Sequence, residues 1–319
     1  MIYLKKFQLL NEDAYWFDLF GIYNKNTPDE YYPFGLFNPS LTGQRIEQID
    51  FENITIFYGG NGSGKTTLLN IIAEKLEVSR YKKYLQTEAF AYYINGKLIN
   101  GVMVGGCKYE YNEKPLGKKI LASDDIFDHI LTIREENKGI KQHKLEDRQY
   151  SLEVKNPNLG YKYFYPDGIH IDFEDSKVQS YIEKLNLFVE AQRKSTKQFV
   201  RSRAGEMQRQ FSNGENALMF FDKQIEENAL YLLDEPENSM SPKFQLELKT
   251  LIEDSVRYKN CQFVIATHSP FILSLFDAKI YNLDATPVTV ERWYELENVR
   301  YYYDFFKMNK DFFASRIIN

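Results

Sequence analysis

Apolar and polar positions form two legible stretches with an ambiguous one between them. Residues 2–10 alternate, as a strand with one buried face does. Residues 24–43 collect Pro28, Pro33, Gly35, Pro39 and Gly43 and read as turns and loops. A strand pattern returns over 46–58, and its end, residues 51–58, is dense enough in Ile, Phe and Tyr to be a fully buried strand. Leu68, Leu69, Ile71, Ile72 and Leu76 then predict a helix over 66–76 packed on that strand. Legibility resumes from 211 to 284, with a helix over 216–222, an apolar strand ending at Asp234, a helix over 242–258 and an apolar strand from 262. Between these stretches, 90–93, 97–104 and 108–111 read as short strands broken by Asn95-Gly96, Asn100-Gly101 and Gly105-Gly106. Residues 123–138 open with Ser123 before Asp124 and Asp125 and carry apolar positions at helical spacing. Residues 141–168 are polar with loose turn signals, and 176–210 are helical in pattern and strongly charged. There is no internal repeat and no long heptad run.

The buried strand delivers the chain to Gly59-Gly60-Asn61-Gly62-Ser63-Gly64-Lys65-Thr66-Thr67. This is the spacing of a phosphate-binding loop of a nucleoside triphosphatase. Its glycines let consecutive backbone N–H groups turn inward on phosphate oxygens, and the following helix adds the positive end of its dipole. Lys65 is placed for the β- and γ-phosphates and the Thr66 hydroxyl for Mg²⁺. A glycine-rich turn that holds nothing is the bland alternative, and the flanking strand and helix argue against it.

Composition narrows the setting. A chain of 319 residues with 43% hydrophobic and 16% aromatic residues can build a large core, so disorder of the whole is excluded. A net charge of −5 gives no global pull toward nucleic acid. The two cysteines, Cys107 and Cys261, form no metal-type spacing and fit a reducing compartment. The first ten residues lack the apolar core of a signal peptide, and no apolar run is long enough to span a bilayer. A cytoplasmic protein without a membrane segment is expected.

Two further strand ends carry chemistry. Asp234 and Glu235 close an apolar strand, where a carboxylate can hold Mg²⁺ (Asp234) and a second can act as general base on water (Glu235). Two acids that merely cap a strand before Pro236 are the alternative. His268 ends the next apolar strand and is placed to contact a γ-phosphate, or simply to bond a backbone group. One strand–helix–strand unit separates Glu235 from His268, so both emerge on the same edge of a parallel sheet. Ser212, Asn213, Gly214 and Glu215 open a helix. Ser212 reads either as its N-cap or, with the helix terminus, as a second anion site.

This ordered set resembles the ATP-binding-cassette ATPases. It runs from the phosphate loop through a Ser-x-Gly-Glu signature, Asp234-Glu235-Pro236 and Glu237-Asn238-Ser239 to Thr267-His268-Ser269. It is most similar to their SMC, RecF and OLD-type branch and to stand-alone bacterial AAA family ATPases. The resemblance covers 46–76 and 211–284, with a similar tail over 280–306. It implies an α/β P-loop fold of ABC type: a mostly parallel sheet flanked by helices, an N-terminal antiparallel β part, and a largely helical insertion. Residues 1–76 and 211–319 would form the two halves of the core, and 77–210 the insertion.

Also implied are ATP and Mg²⁺ bound in an ATP-dependent homodimer, in which Ser212 and Gly214 of one head, with Glu215 beside them, meet the γ-phosphate held by the other. Asn238 and Ser239 would cross the seam. Asn213 and Glu215 depart from the transporter signature, and the Mg²⁺-ligating glutamine is not evident. Gln86 or the segment Ser123–Asp125 would hold its place. For the adenine, Tyr23, Tyr31, Tyr32 and Phe34 all qualify as the stacking ring.

Three functions compete. The first is an ATPase switch acting on a partner protein or nucleic acid. The OLD-type resemblance implies an effector encoded nearby, such as a nuclease, and a role in phage defence or DNA maintenance. The second is the ATPase subunit of a membrane transporter, which the signature departures and the long insertion disfavour. The third, a kinase, leaves the signature and His268 unexplained. The histidines His129, His143, His170 and His268 form no metal-like cluster for a nuclease within this chain. The basic stretch from Arg193 through Lys194, Lys197, Arg201 and Arg203 to Arg209 reads as a nucleic-acid track or as a solvated helix face balanced by the acidic segment 172–175.

Overall fold

A computed structural model describes residues 1–10, 32–37, 46–80, 87–99, 102–156, 177–203, 205 and 212–314. Tyr23, Tyr31, Gln86, His170, Arg209, the acidic segment 172–175 and most of the expected loop over 24–43 lie outside these residues.

In chain order the elements are β1 (Leu4–Gln8), β2 (Gln48–Asp50), β3 (Ile54–Tyr58), α1 (Lys65–Lys75), α2 (Glu88–Asn95), β4 (Lys97–Ile99), β5 (Val102–Val104), β6 (Lys108–Tyr111) and β7 (Gly117–Ala122). Then follow α3 (Ser123–Val154), α4 (Lys177–Arg193), α5 (Thr196–Arg203), α6 (Asn213–Gln224), β8 (Ala229–Asp234), α7 (Pro242–Tyr258) and β9 (Gln262–Thr267). The C-terminal part holds α8 (Pro270–Leu273), β10 (Lys279–Asn282), β11 (Thr289–Glu291), α9 (Glu297–Met308) and α10 (Lys310–Ala314).

A six-stranded sheet in the order β11-β10-β3-β9-β8-β7 organises the first compact unit, residues 1–127 and 211–319. Its strands from β10 to β7 are all parallel, and β11 alone runs antiparallel, on β10. β3, β8 and β9 are buried almost throughout, which is why they read as unbroken apolar runs. α1 packs on this sheet through Leu68, Leu69, Ile71 and Ile72, all fully buried. An antiparallel sheet of three strands, β2-β1-β6, completes the expected N-terminal β part. Gln262 of β9 joins the two sheets. Its side chain accepts from Tyr3 N (3.0 Å) and Leu4 N (2.8 Å) and donates to Leu4 O and Glu52 O (both 2.9 Å).

The middle of the chain departs from the sequence reading in three places. The apolar run 90–93 lies in the helix α2, not in a strand. Thr87 caps it by accepting from Phe90 N, Gly96 ends it at φ 73°, and Phe90, Tyr93 and Ile94 share its buried face. The polar segment expected to turn after 141 instead continues α3 to Val154, helped by i,i+4 bonds from Gln142 to Glu146 and from Gln149 to Glu153. The third departure is β7, which the pattern did not predict and which forms the edge of the parallel sheet beside β8. The second compact unit accordingly spans 128–210. Val154, Phe188, Ala191 and Phe199 form its small core.

Candidate nucleotide-binding site

Parallel pairing sets five strand ends along one edge of the sheet, the edge at which an open α/β sheet binds ligands. The register aligns Tyr58 with Thr267 and with Asn282, Asp234 with Ala266, and Ala122 with Asp234. The residues that follow each strand therefore converge. They are the loop from Gly59, Glu235 after β8, His268 after β9, Ser123 after β7 and Asp284 after β10.

Within the loop, Gly62 (φ 84°) and Gly64 (φ 90°) take left-handed conformations that a side chain would strain. A Cβ on Gly59 would come within 2.4 Å of Ser63 Oγ, a cradle only glycine leaves open. Lys65 is buried with its Nζ on Gly59 O (2.8 Å) and Gly60 O (2.9 Å), and 3.7 Å from Glu235 Oε1. The Thr66 hydroxyl donates to Asp234 Oδ1 at 2.9 Å. Asn61 is exposed at the tip, and the Thr67 hydroxyl accepts from Tyr32 OH at 2.6 Å.

Burial pushes the Asp234 carboxyl up to about 6; Glu235 and Glu237 add to the shift, while the Thr66 hydrogen bond and Lys65 oppose it. Glu235 holds a left-handed backbone (φ 46°), a strained position of the kind that clusters at functional sites. Its Oε2 accepts from Asn238 Nδ2 (3.0 Å), and its Oε1 lies 3.7 Å from His268 Nδ1. Ser239, also left-handed (φ 67°), is exposed.

Two contributors were not among the predicted site residues. Glu237 is buried; its Oε1 accepts from Thr267 Oγ1 (2.5 Å) and His268 N (3.2 Å) and lies 3.7 Å from His268 Nδ1. Its Oε2 has no hydrogen-bond partner among the described residues, and burial raises its pKa against those hydrogen bonds. A third acid behind Asp234 and Glu235 was the available signal. Asp284 accepts from Gly60 N with both oxygens, at 3.0 and 2.9 Å, and nothing in the local sequence announces it.

Ser212 and Glu215 form a reciprocal capping box at the start of α6 (Glu215 N to Ser212 Oγ 3.3 Å, Ser212 N to Glu215 Oε2 3.1 Å). The N-cap reading is thus realised within one chain. Gly214 has a packing reason of its own, since a Cβ there would meet Phe244 Cδ2 at 2.6 Å. Of the rings considered for adenine, Tyr32 stacks on Phe90 (5.8 Å) and Phe34 lies against Tyr92 and Tyr93. In the Ser123–Asp125 segment, Asp125 Oδ2 accepts from Ala122 N (2.9 Å) where β7 runs into α3.

The residues present fit a nucleotide with its metal. Ser63 Oγ is buried in the cradle without a hydrogen-bond partner among the described residues, and a hydroxyl and a carboxylate oxygen stand side by side at Thr66 and Asp234, the hard donors that suit Mg²⁺. Fold and site together define a P-loop nucleotide hydrolase with a mostly parallel sheet. A family model described as "ABC transporter" matches residues 48–238, more than half of the chain, and the chain belongs to that family. A model described as "AAA ATPase domain" matches 205–273. The protein is an ABC-type ATPase.

No curated protein matches. Among solved structures, the chain is similar to the Smc head domain with an extended coiled coil bound to the C-terminal domain of ScpA, derived from Pyrococcus furiosus. That match has a TM-score of 0.38 and 13% identity over 91% of this chain and 96% of that chain. It is also similar to the SMC head domain from Thermotoga maritima (TM-score 0.36, 14% identity, 91% and 99% covered). A third is a nucleotide-free ATP-binding cassette from an ABC transporter (TM-score 0.36, 13% identity, 92% of each chain covered).

Proposed function

We propose that the chain binds ATP with Mg²⁺ at residues Gly59–Thr67 and hydrolyses it as a switch, two heads closing head to tail over the nucleotide. The observation that carries this reading is the unbroken chain of contacts Thr66–Asp234, Lys65–Glu235 and Glu235–His268 along one sheet edge. Lys65 leaves its two carbonyls for the β- and γ-phosphates. Thr66 and Asp234 would hold the metal, which would supply positive charge beside the phosphates. Glu235 orients the attacking water and takes its proton, with Asn238 fixing the other carboxylate oxygen. His268 contacts the γ-phosphate, and Glu237 positions it through its backbone N–H and Thr267. Asp284 steadies the start of the loop at Gly60. Ser123, which follows the strand beside that of Asp234, is assigned the metal-side contact.

Across the seam, the start of α6, where Ser212 is exposed, Glu215 half-buried and Gly214 buried beneath them, and the exposed Ser239 with Asn238 meet the other head's nucleotide. The inserted unit, 128–210, relays opening and closing to a partner, with phage defence or DNA maintenance the setting the resemblance implies. Two residues of its basic stretch serve the unit's own structure: Lys194 pairs with Glu190 (2.6 Å) and Arg203 with Asp147 (3.2 Å). The matching family description favours a second reading, the ATPase subunit of a transporter. No helix among the described residues is long and apolar enough to cross a membrane.

Glu235→Gln tests the site. Losing a general base lowers turnover by about 10²–10⁴-fold, measured by phosphate release, while ATP binding is retained. Wild-type turnover by that variant removes the assignment.

A further inference from the structure

The end of the described chain carries an aromatic surface that nothing in the ATPase site uses. Tyr301, Tyr302, Phe305, Phe306, Phe312 and Phe313 of α9 and α10 are each more than half exposed. Within α9, at 100° per residue, Tyr301, Tyr302, Phe305 and Phe306 fall on one side, with Asp304 and Lys307 opposite. Contact between Phe306 and Phe313 (5.7 Å) keeps that side continuous across Asn309. On the charged side, Arg300 and Lys307 lie over the Tyr303 ring at 5.0 and 5.6 Å. The root is packed through Leu296 and Val299, and Asn298 N donates to Tyr58 OH (3.3 Å), the residue just before the phosphate loop.

Patches of this kind on a monomer rarely exceed a few hundred Å². An aromatic side chain can bury 150–250 Å², so six rings about half exposed, with Met308, present on the order of 700 Å². A standard interface takes about 800 Å² per partner, so one such face covering another suffices. Charge selects the occupant. Glu297, Asp304 and Asp311 balance Arg300, Lys307 and Lys310, which gives no pull toward a polyanion or an anionic bilayer. A twofold axis through the face sets its rings against the same rings of the other copy, as an isologous contact requires.

We propose that this face docks on the same face of a second copy, forming a twofold dimer that needs no nucleotide. The pairing is distinct from the ATP-bridged closure of heads, and it holds two heads at high effective concentration for that closure.

Sedimentation velocity on the full chain, in EDTA and without nucleotide, tests it. The wild type sediments as a dimer at micromolar concentration. Phe305→Asp with Phe306→Asp weakens that dimer by about 100-fold or more, because two central anchors are lost, and leaves binding of a fluorescent ATP analogue unchanged. Should the double variant fail to fold, Phe312→Asp, at a side chain 77% exposed, gives the same reading alone. A wild type that is monomeric without nucleotide overturns the proposal, even if it binds vesicles or another protein. A dimer that the substitutions leave intact overturns it too. Because no nucleotide is present, the outcome is independent of whether the ATPase mechanism above is right.

Discussion

Glu237 lies beneath His268 with one carboxylate oxygen bonded to Thr267 and the His268 backbone and the other without a hydrogen-bond partner among the described residues. Glutamine at this position keeps an acceptor for both donors; leucine leaves two donors unsatisfied, at about 1–3 kcal/mol each. Glu237→Leu is therefore expected to lower saturated turnover at least about tenfold with KM for ATP little changed, and Glu237→Gln to restore most of it. Steady-state phosphate release separates the cases. Equal kcat in the wild type and the leucine variant would show that His268 needs no such support. At this scale much of the site was legible, because a phosphate cradle demands glycines, a lysine and a hydroxyl in fixed order. Glu237 was visible but unassigned, since its role depends on a threonine one strand away. Asp284 was not legible at all: its contact with Gly60 arises from the pairing of β10 with β3, which no local pattern reveals.

Among the elements, the buried strands β3, β8 and β9 and the helices α1 and α7 were readable, and α2 and the edge strand β7 were not. β7 carries Lys118 and Lys119 beside a single apolar pair, as an edge strand can, so its pattern is that of a loop. The aromatic run at 90–93 suits either a strand or a helix, and the caps at Thr87 and Gly96 decide for the helix. Gln262 opens an apolar strand and looks like a solubilising end residue, yet it is fully buried and staples β1 to β9. Gln262→Leu fills similar volume but strands the Tyr3 and Leu4 N–H groups and the Glu52 carbonyl. The loss of stability is expected to be about 3 kcal/mol, read from urea unfolding. A change below about 0.5 kcal/mol would mean the antiparallel sheet is held by its apolar face alone.

For the whole molecule, the ATPase core and the inserted unit form separate compact bodies, and the central claim is that two cores share ATP. The capping box at Ser212 accounts for one helix start within one chain, so the shared site has to be tested between chains. The direct measurement is light scattering in Mg²⁺ with and without ATP, on the Phe305→Asp, Phe306→Asp background that removes the aromatic contact. Glu235→Gln on that background is predicted to be monomeric alone and dimeric with ATP, because bound nucleotide is no longer hydrolysed. Adding Ser212→Arg places a bulky cation at the seam, at a capping cost of about 1 kcal/mol, and is predicted to restore the monomer while each chain still binds ATP. If the chain carrying Ser212→Arg still dimerises only when ATP is added, the signature helix makes no contact with the nucleotide of the other head, and the shared-ATP account is contradicted.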